Sequence, residues 1–328
     1  MMLRKISLAI ALACASQAYA ANTEFDNFTA LTSSQTSAFP AATPILLSNP
    51  NFSQVTIADR ATQNLLALGS NSGNWDMIDA DSTGRYLFMP FETGTGGVQR
   101  VDLLDPNYNT RTVTIVASGT SGFVAGDASR TTPWGSYLTA EESWGTGSTK
   151  GRLFEVTNAT SAIENTGTFI QRSIIPRVSH EGLAFDTLKN MYFIDEQNGG
   201  SIYKYTSANA NATNGNDYFA AGQTFAAVVN GGNNNVSATG NIVWQAITDA
   251  NGGALAGVST VLGDGTIDGR VSANTIFYQV ITNALKTQKL VKIPLVKKFY
   301  TSLPPPRMKC LHLTLVPTHL AYLQALQL

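Results

Sequence analysis

Two adjacent glutamates, Glu141 and Glu142, close the run Thr132-Pro133-Trp134-Gly135-Ser136-Tyr137-Leu138-Thr139-Ala140-Glu141-Glu142-Ser143-Trp144-Gly145. Neighbouring carboxylates repel each other unless a cation or hydrogen-bond donors compensate. A hard, oxygen-preferring ion such as calcium is the natural partner for such a pair; the plain alternative is solvated charge at a strand end. A second chemical stretch, Val178-Ser179-His180-Glu181-Gly182-Leu183-Ala184-Phe185-Asp186, holds the one histidine between the leader and the tail. A bend before its apolar run turns Glu181 inward, where it can bind metal. Glu92 and the pair Asp195 and Glu196 complete the candidate ligands.

The elements that must position these acids share one design. Gly84 to Glu92 leads through a glycine loop to Val98–Leu103, Trp134 to Glu142 to Gly151–Val156, and Asn190 to Glu196 to Ser201–Tyr205. Each is an apolar strand ending in a carboxylate, a glycine-containing loop, and a strand that closes a hairpin. Units of this kind recurring roughly every fifty residues predict an all-β chain, a β-propeller. Equivalent strands point the same way around one axis, so Glu92, Glu141, Glu142, Asp195 and Glu196 are expected at one mouth of the channel. Capping of hairpins through turn amides is the competing role for them. Asp79 to Gly84 and Asp186 to Lys189 read as turns with Asx hydrogen bonds. The Asn-, Ala- and Gly-rich stretch from Ser207 to about Asn241 reads as a surface insertion or irregular hairpin.

Composition narrows the function. Of 328 residues, 43% are hydrophobic and only 13% charged, with a formal net charge of -1. Such a chain lacks the clustered Lys and Arg that phosphate neutralisation on nucleic acid needs. Residues 1–20 read as an export signal: Arg4-Lys5, an apolar run from Ile6 to Ala15, and Ala18-Tyr19-Ala20 as the cleavage site. The run is too short to span a membrane. Ala11, where lipoprotein signals favour a bulky aliphatic residue, argues against an anchor at Cys14. With Cys310 the only other cysteine, an exported domain must be held by packing, helped by metal, and not by disulfides. The location expected is periplasmic or extracellular, and the state a monomer. Asn158-Ala159-Thr160 and Asn211-Ala212-Thr213 match a glycosylation acceptor, to which this signal gives little weight.

Pro-Trp-Gly-x-Tyr-Leu-Thr-x-Glu-Glu over Pro133–Glu142, with His180-Glu181-Gly182 and the surrounding hairpins, resembles the PhoX-like family of exported bacterial proteins, which includes the PhoX alkaline phosphatases. The resemblance runs from about Gly73 to Arg270. It implies a β-propeller with a calcium and iron cluster at one end of its channel, acting on phosphorylated small molecules by hydrolysis of phosphate monoesters. Glu141, Glu142 and Glu181 would then be metal-site residues, and a family arginine would grip the phosphate bidentately.

Two departures bear on activity. The family carries cysteine before the paired glutamates as an iron ligand, where this chain has Ala140; an all-oxygen calcium site (Ca2+) is favoured over one holding Fe3+. After Asn274 the family continues with an Arg-Pro-Glu-Asp motif, whereas here lysines cluster and the blade pattern stops. In one shifted frame, Ile281–Thr287 back-translates to a run containing Arg-Pro-Glu-Asp, and Phe299–Leu313 to a blade-like strand ending in acids. The expectation is a signal over 1–20, a partial propeller over 21–276 and an out-of-frame tail over 277–328, with an impaired phosphatase as the consequence. A non-catalytic, calcium-stabilised binding propeller and a lactonase- or phytase-like propeller hydrolase are the other readings.

Overall fold

The computed structural model describes residues 32–34, 36–40, 45, 51–58, 75–145, 148–197, 200–230 and 240–276. The expected signal and tail lie outside them. The chain divides into two compact units, Met1–Ile57 and Ala58–Leu328. In the first, the Ile45 amide donates to Gln54 Oε1 at 3.0 Å, and Gln54 Nε2 donates back to the Ile45 carbonyl.

Among the described residues the second unit is all-β apart from short helical turns, with the blades of a propeller. Its strands form three consecutive antiparallel blades. The first is β1 (Asp79–Ala80), β2 (Tyr86–Pro90), β3 (Val98–Asp102) and β4 (Thr112–Val116); the second is β5 (Gly126–Thr131), β6 (Tyr137–Glu141), β7 (Leu153–Val156) and β8 (Phe169–Gln171). The third has five strands: β9 (His180–Phe185), β10 (Met191–Asp195), β11 (Ile202–Ser207), β12 (Gly222–Asn230) and β13 (Asn241–Ala246). Strands β14 (Thr260–Val261) and β15 (Ile267–Asp268) pair separately. Within each blade the strands are paired in chain order, as short connections dictate.

The three hairpins expected from sequence are the second and third strands of each blade, β2–β3, β6–β7 and β10–β11. The turns at Asp81 and Asp186 are Asx-bonded: Asp81 Oδ1 accepts from the Tyr86 amide, and Asp186 Oδ1 from those of Leu188 and Asn190. Of the two readings of the stretch from 207, the hairpin describes its strands: β12 pairs antiparallel with β13, and residues 231–239 lie outside the described residues. The stretch contains a one-turn helix, α1 (Gly215–Tyr218), and its nine-residue strand β12 is the fourth of the third blade.

The first strand of each blade lies beside the first strand of the next, β1 by β5 and β5 by β9. This places β1, β5 and β9 on the inner side. Side chains from neighbouring blades fill the space between them. Phe88, Val98, Ile115, Tyr137 and Val156 form a core between the first two blades, with Phe88 and Tyr137 stacked at 4.9 Å. Leu138, Leu153, Leu183, Phe193, Tyr203 and Tyr218 belong to a core that joins the second to the third.

Candidate metal centre

Strand pairing aligns the acids. Trp75 bridges Phe91, Gly126 pairs with Glu141, and His180 pairs with Asp195, all where an inner strand begins and a second strand ends. The hydrogen bonds repeat as well: the amides of Phe91, Glu141 and Asp195 donate to the carbonyls of Gly97, Arg152 and Ser201. One residue further along each of the six strand ends stands a carboxylate. These are Asp76 and Glu92, Asp127 and Glu142, and Glu181 and Glu196.

Successive side chains in a strand point to opposite faces, so adjacent acids part company. Glu141 is fully buried on the face away from this ring. Arg152 binds it through Nε to Oε2 at 2.9 Å and Nη2 to Oε1 at 2.5 Å, and the amides of Val124 and Arg152 donate to it. Asp195, 1% exposed, accepts from the Arg270 Nε at 2.6 Å and from the Ser179 amide at 3.1 Å. Burial pushes its carboxyl upward and Arg270 opposes that. The expectation that Glu141 and Asp195 share a mouth with their neighbours therefore meets a different placement, in intrachain ion pairs.

The remaining four expected ligands, Glu92, Glu142, Glu181 and Glu196, are brought together with Asp76 and Asp127. Glu142 lies within hydrogen-bonding reach of Glu196 and Glu92, and these contacts together with burial push it up to about 8. Asp127 is 2% exposed and is pushed up to about 9, first by burial and then by the charges of Glu181, Asp76, Glu142 and Glu92. Asp76 is raised by burial and by Glu92, while its contact with Asp127 lowers it. Asp76 is exposed, Glu92, Glu142, Glu181 and Glu196 are half-buried, and Asp127 forms the floor.

Two features of this site fit a hard cation. Its donors are all carboxylate oxygens, the set calcium prefers. Asp127 Oδ1 is buried with no hydrogen-bond partner among the described residues, which costs free energy unless something binds it. The acids approach one another pairwise; no group of three His, Cys, Asp or Glu among the described residues is already set around one ion position. Ala140 is fully buried in the core. His180 is also buried, its ring 5.3 Å from Phe193, and burial depresses it to about 3, with Arg177 adding to the shift.

Asp76 and Asp127 escaped the sequence reading because inner strands are short and polar: Gly-Asp-Ala-Ser-Arg-Thr shows no apolar alternation. A signal was available. Asp127 stands fifteen residues ahead of Glu142, Glu181 fifteen ahead of Glu196, and Asp76 sixteen ahead of Glu92.

No family model and no curated protein matches this chain. Among solved structures it is similar to Pseudomonas fluorescens PhoX in complex with vanadate, a transition-state analogue, at 15% identity and a TM-score of 0.41, over 63% of this chain and 56% of that one. It is also similar to a putative gluconolactonase at 15% identity and a TM-score of 0.30, over 60% of this chain and 63% of the other. The chain thus spans less than two thirds of either. Among the described residues, no helix is long and apolar enough to cross a membrane.

Proposed function

We propose that this chain is an exported, calcium-dependent phosphatase of the PhoX-like class, with its metal centre on Asp76, Glu92, Asp127, Glu142, Glu181 and Glu196. The observation that supports it most is the repeated pair of carboxylates at equivalent strand ends of three blades, around a buried Asp127 oxygen that has no hydrogen-bond partner among the described residues. Six acids from separate blades carry a repulsion that a divalent cation relieves. The chemistry that bound calcium supplies is neutralisation of a phosphate monoester and Lewis-acid polarisation of its oxygens. Asp127 and the half-buried Glu92, Glu142, Glu181 and Glu196 would hold the ion, with the exposed Asp76 at the solvent edge of the cluster. Iron of the family type fits less well, since Ala140 brings no thiolate.

One observation favours a second reading. Arg152 and Arg270, which hold the acids immediately before Glu142 and Glu196, are both engaged with carboxylates, so neither is left to grip a phosphate. A calcium-stabilised binding propeller needs no such grip. Hydrolysis of p-nitrophenyl phosphate by the purified chain, with calcium and then with chelator, separates the two. Calcium-dependent turnover abolished in Asp127→Asn is the expected result; calcium binding without turnover supports the binding propeller, and lactone hydrolysis in its place supports a lactonase.

A further inference from the structure

Arg270 lies outside the three blades, in the helical residues 269–276 that follow β15, and its side chain reaches back to two of them. Its Nε donates to Asp195 Oδ2 at 2.6 Å, Nη2 donates to Asp195 Oδ1, and Nη1 donates to Gln197 Oε1. The guanidinium carbon stands 3.7 Å from the centre of the Trp144 ring. Gln197 Nε2 in turn donates to the Trp144 carbonyl at 2.6 Å. Ser179 adds a second tie, from its Oγ to the Glu142 carbonyl, while its own carbonyl accepts from the Glu196 amide at 2.9 Å.

Asp195 precedes Glu196, and Trp144 follows Glu142 by two residues. Ser179 bonds the backbone of both Glu142 and Glu196, so the two acids stand on neighbouring strand ends. A cation–π contact and a bidentate ion pair on one buried arginine, 7% exposed, hold those ends together.

We propose that Arg270 is a positioning residue for the metal centre: it clamps the strand ends of the second and third blades so that Glu142 and Glu196 present their carboxylates to one calcium ion. The inference rests on the calcium centre proposed above. In this role Arg270 acts through Asp195, Gln197 and Trp144.

The test is calcium binding by the full chain, stripped with chelator and titrated calorimetrically with calcium ion alone, well below its melting temperature. Arg270→Lys keeps the charge but loses the bidentate fork, and is expected to weaken calcium binding about tenfold. Gln197→Ala leaves the Asp195 pair intact and is expected to weaken binding about threefold, with the melting temperature of the calcium-free chain unchanged. Arg172→Ala, which breaks an equally buried pair with Glu155 away from the acids, lowers stability and leaves the calcium affinity of the folded chain as it was. Trp144 emission, taken as the difference from Trp144→Phe, shifts on calcium addition in the unaltered chain and not in Arg270→Lys. Wild-type affinity retained in both Arg270→Lys and Gln197→Ala overturns the clamp while leaving the calcium centre standing. Absence of calcium binding by the unaltered chain overturns the centre and the clamp together.

Discussion

Asp127 is where the chemistry concentrates. A carboxylate this buried among four other acids resists ionisation, and it holds its proton up to about pH 9 until a cation arrives. Folding without calcium must therefore protonate a group that is ionised in the unfolded chain; Asp127→Asn removes that cost, so the calcium-free chain is expected to melt higher than the unaltered chain in chelator. The same change deletes a ligand, and calorimetric titration is expected to show calcium binding at least about tenfold weaker, or about 1.4 kcal/mol. A melting temperature that falls together with unchanged calcium affinity would place Asp127 in a purely structural role. The pH dependence carries the same signature. The folded values of Asp127 and Glu142, about 9 and 8, lie above the ordinary 3.8 and 4.5, so the stability they contribute is full at low pH and is lost as pH rises through 8 and 9. His180 works oppositely: its folded value of about 3 lies below 6.5, so stability is lost as pH falls through that window. In chelator, the urea midpoint is therefore expected to fall gently from about pH 5 to 6.5, more steeply from there to about 8, and gently again to about 9. A midpoint that rises across pH 7 to 9 would contradict the raised carboxyls. The residues themselves explain what could be read in advance. Glu92, Glu142, Glu181 and Glu196 are visible as acids at strand ends. Treating Glu141 with Glu142, and Asp195 with Glu196, as joint ligands overlooked the pleat, which sends neighbours to opposite faces.

At the scale of strands and turns, much of the motif that looked chemical fastens the second blade. Trp134 Nε1 donates to Glu155 Oε1 at 2.8 Å, Ser136 Oγ donates to the same oxygen, and Arg172 Nε donates to Oε2 at 2.6 Å. Glu155 is fully buried, and Gly215 leaves it room, since a side chain there would meet its carboxylate. Tyr137 shares a hydrogen bond with Ser129 at 2.7 Å and stacks on Phe88, joining the first two blades. Removing Arg172 strands Glu155 as a buried charge, so Arg172→Ala is expected to cost about 3–5 kcal/mol in denaturant unfolding. A loss below about 1 kcal/mol would mean that Trp134 and Ser136 satisfy Glu155 without it. The hairpins β2–β3, β6–β7 and β10–β11 were legible from their apolar runs and glycine loops. The inner strands β1 and β5 were not, because a strand lining a polar channel has no apolar face to alternate; β9 showed only its apolar end, Leu183–Phe185. Strand β12 was hidden for another reason: its Asn- and Gly-rich flanks outweighed the run Phe225–Val229 in a compositional reading.

For the molecule as a whole, the first strands of successive blades stand side by side, and this brings acids some fifty residues apart in the chain to one place. Fold class followed from the recurrence of one hairpin design, because each unit must bury its faces against its neighbours. Calcium that binds the folded chain alone stabilises it by mass action, about 2.7 kcal/mol at a hundred times its dissociation constant. The melting temperature is expected to climb with calcium concentration and to be unmoved by potassium at equal ionic strength. Equal rises with both salts would reveal general screening and no site.

The most direct measurement is anomalous scattering from a calcium-loaded crystal of this chain. The result expected is calcium density bounded by Asp127, Glu142 and Glu196, with carboxylate oxygens of at least two blades at about 2.3–2.6 Å. Calcium bound elsewhere, with these carboxylates still facing one another across solvent, would contradict a shared metal centre.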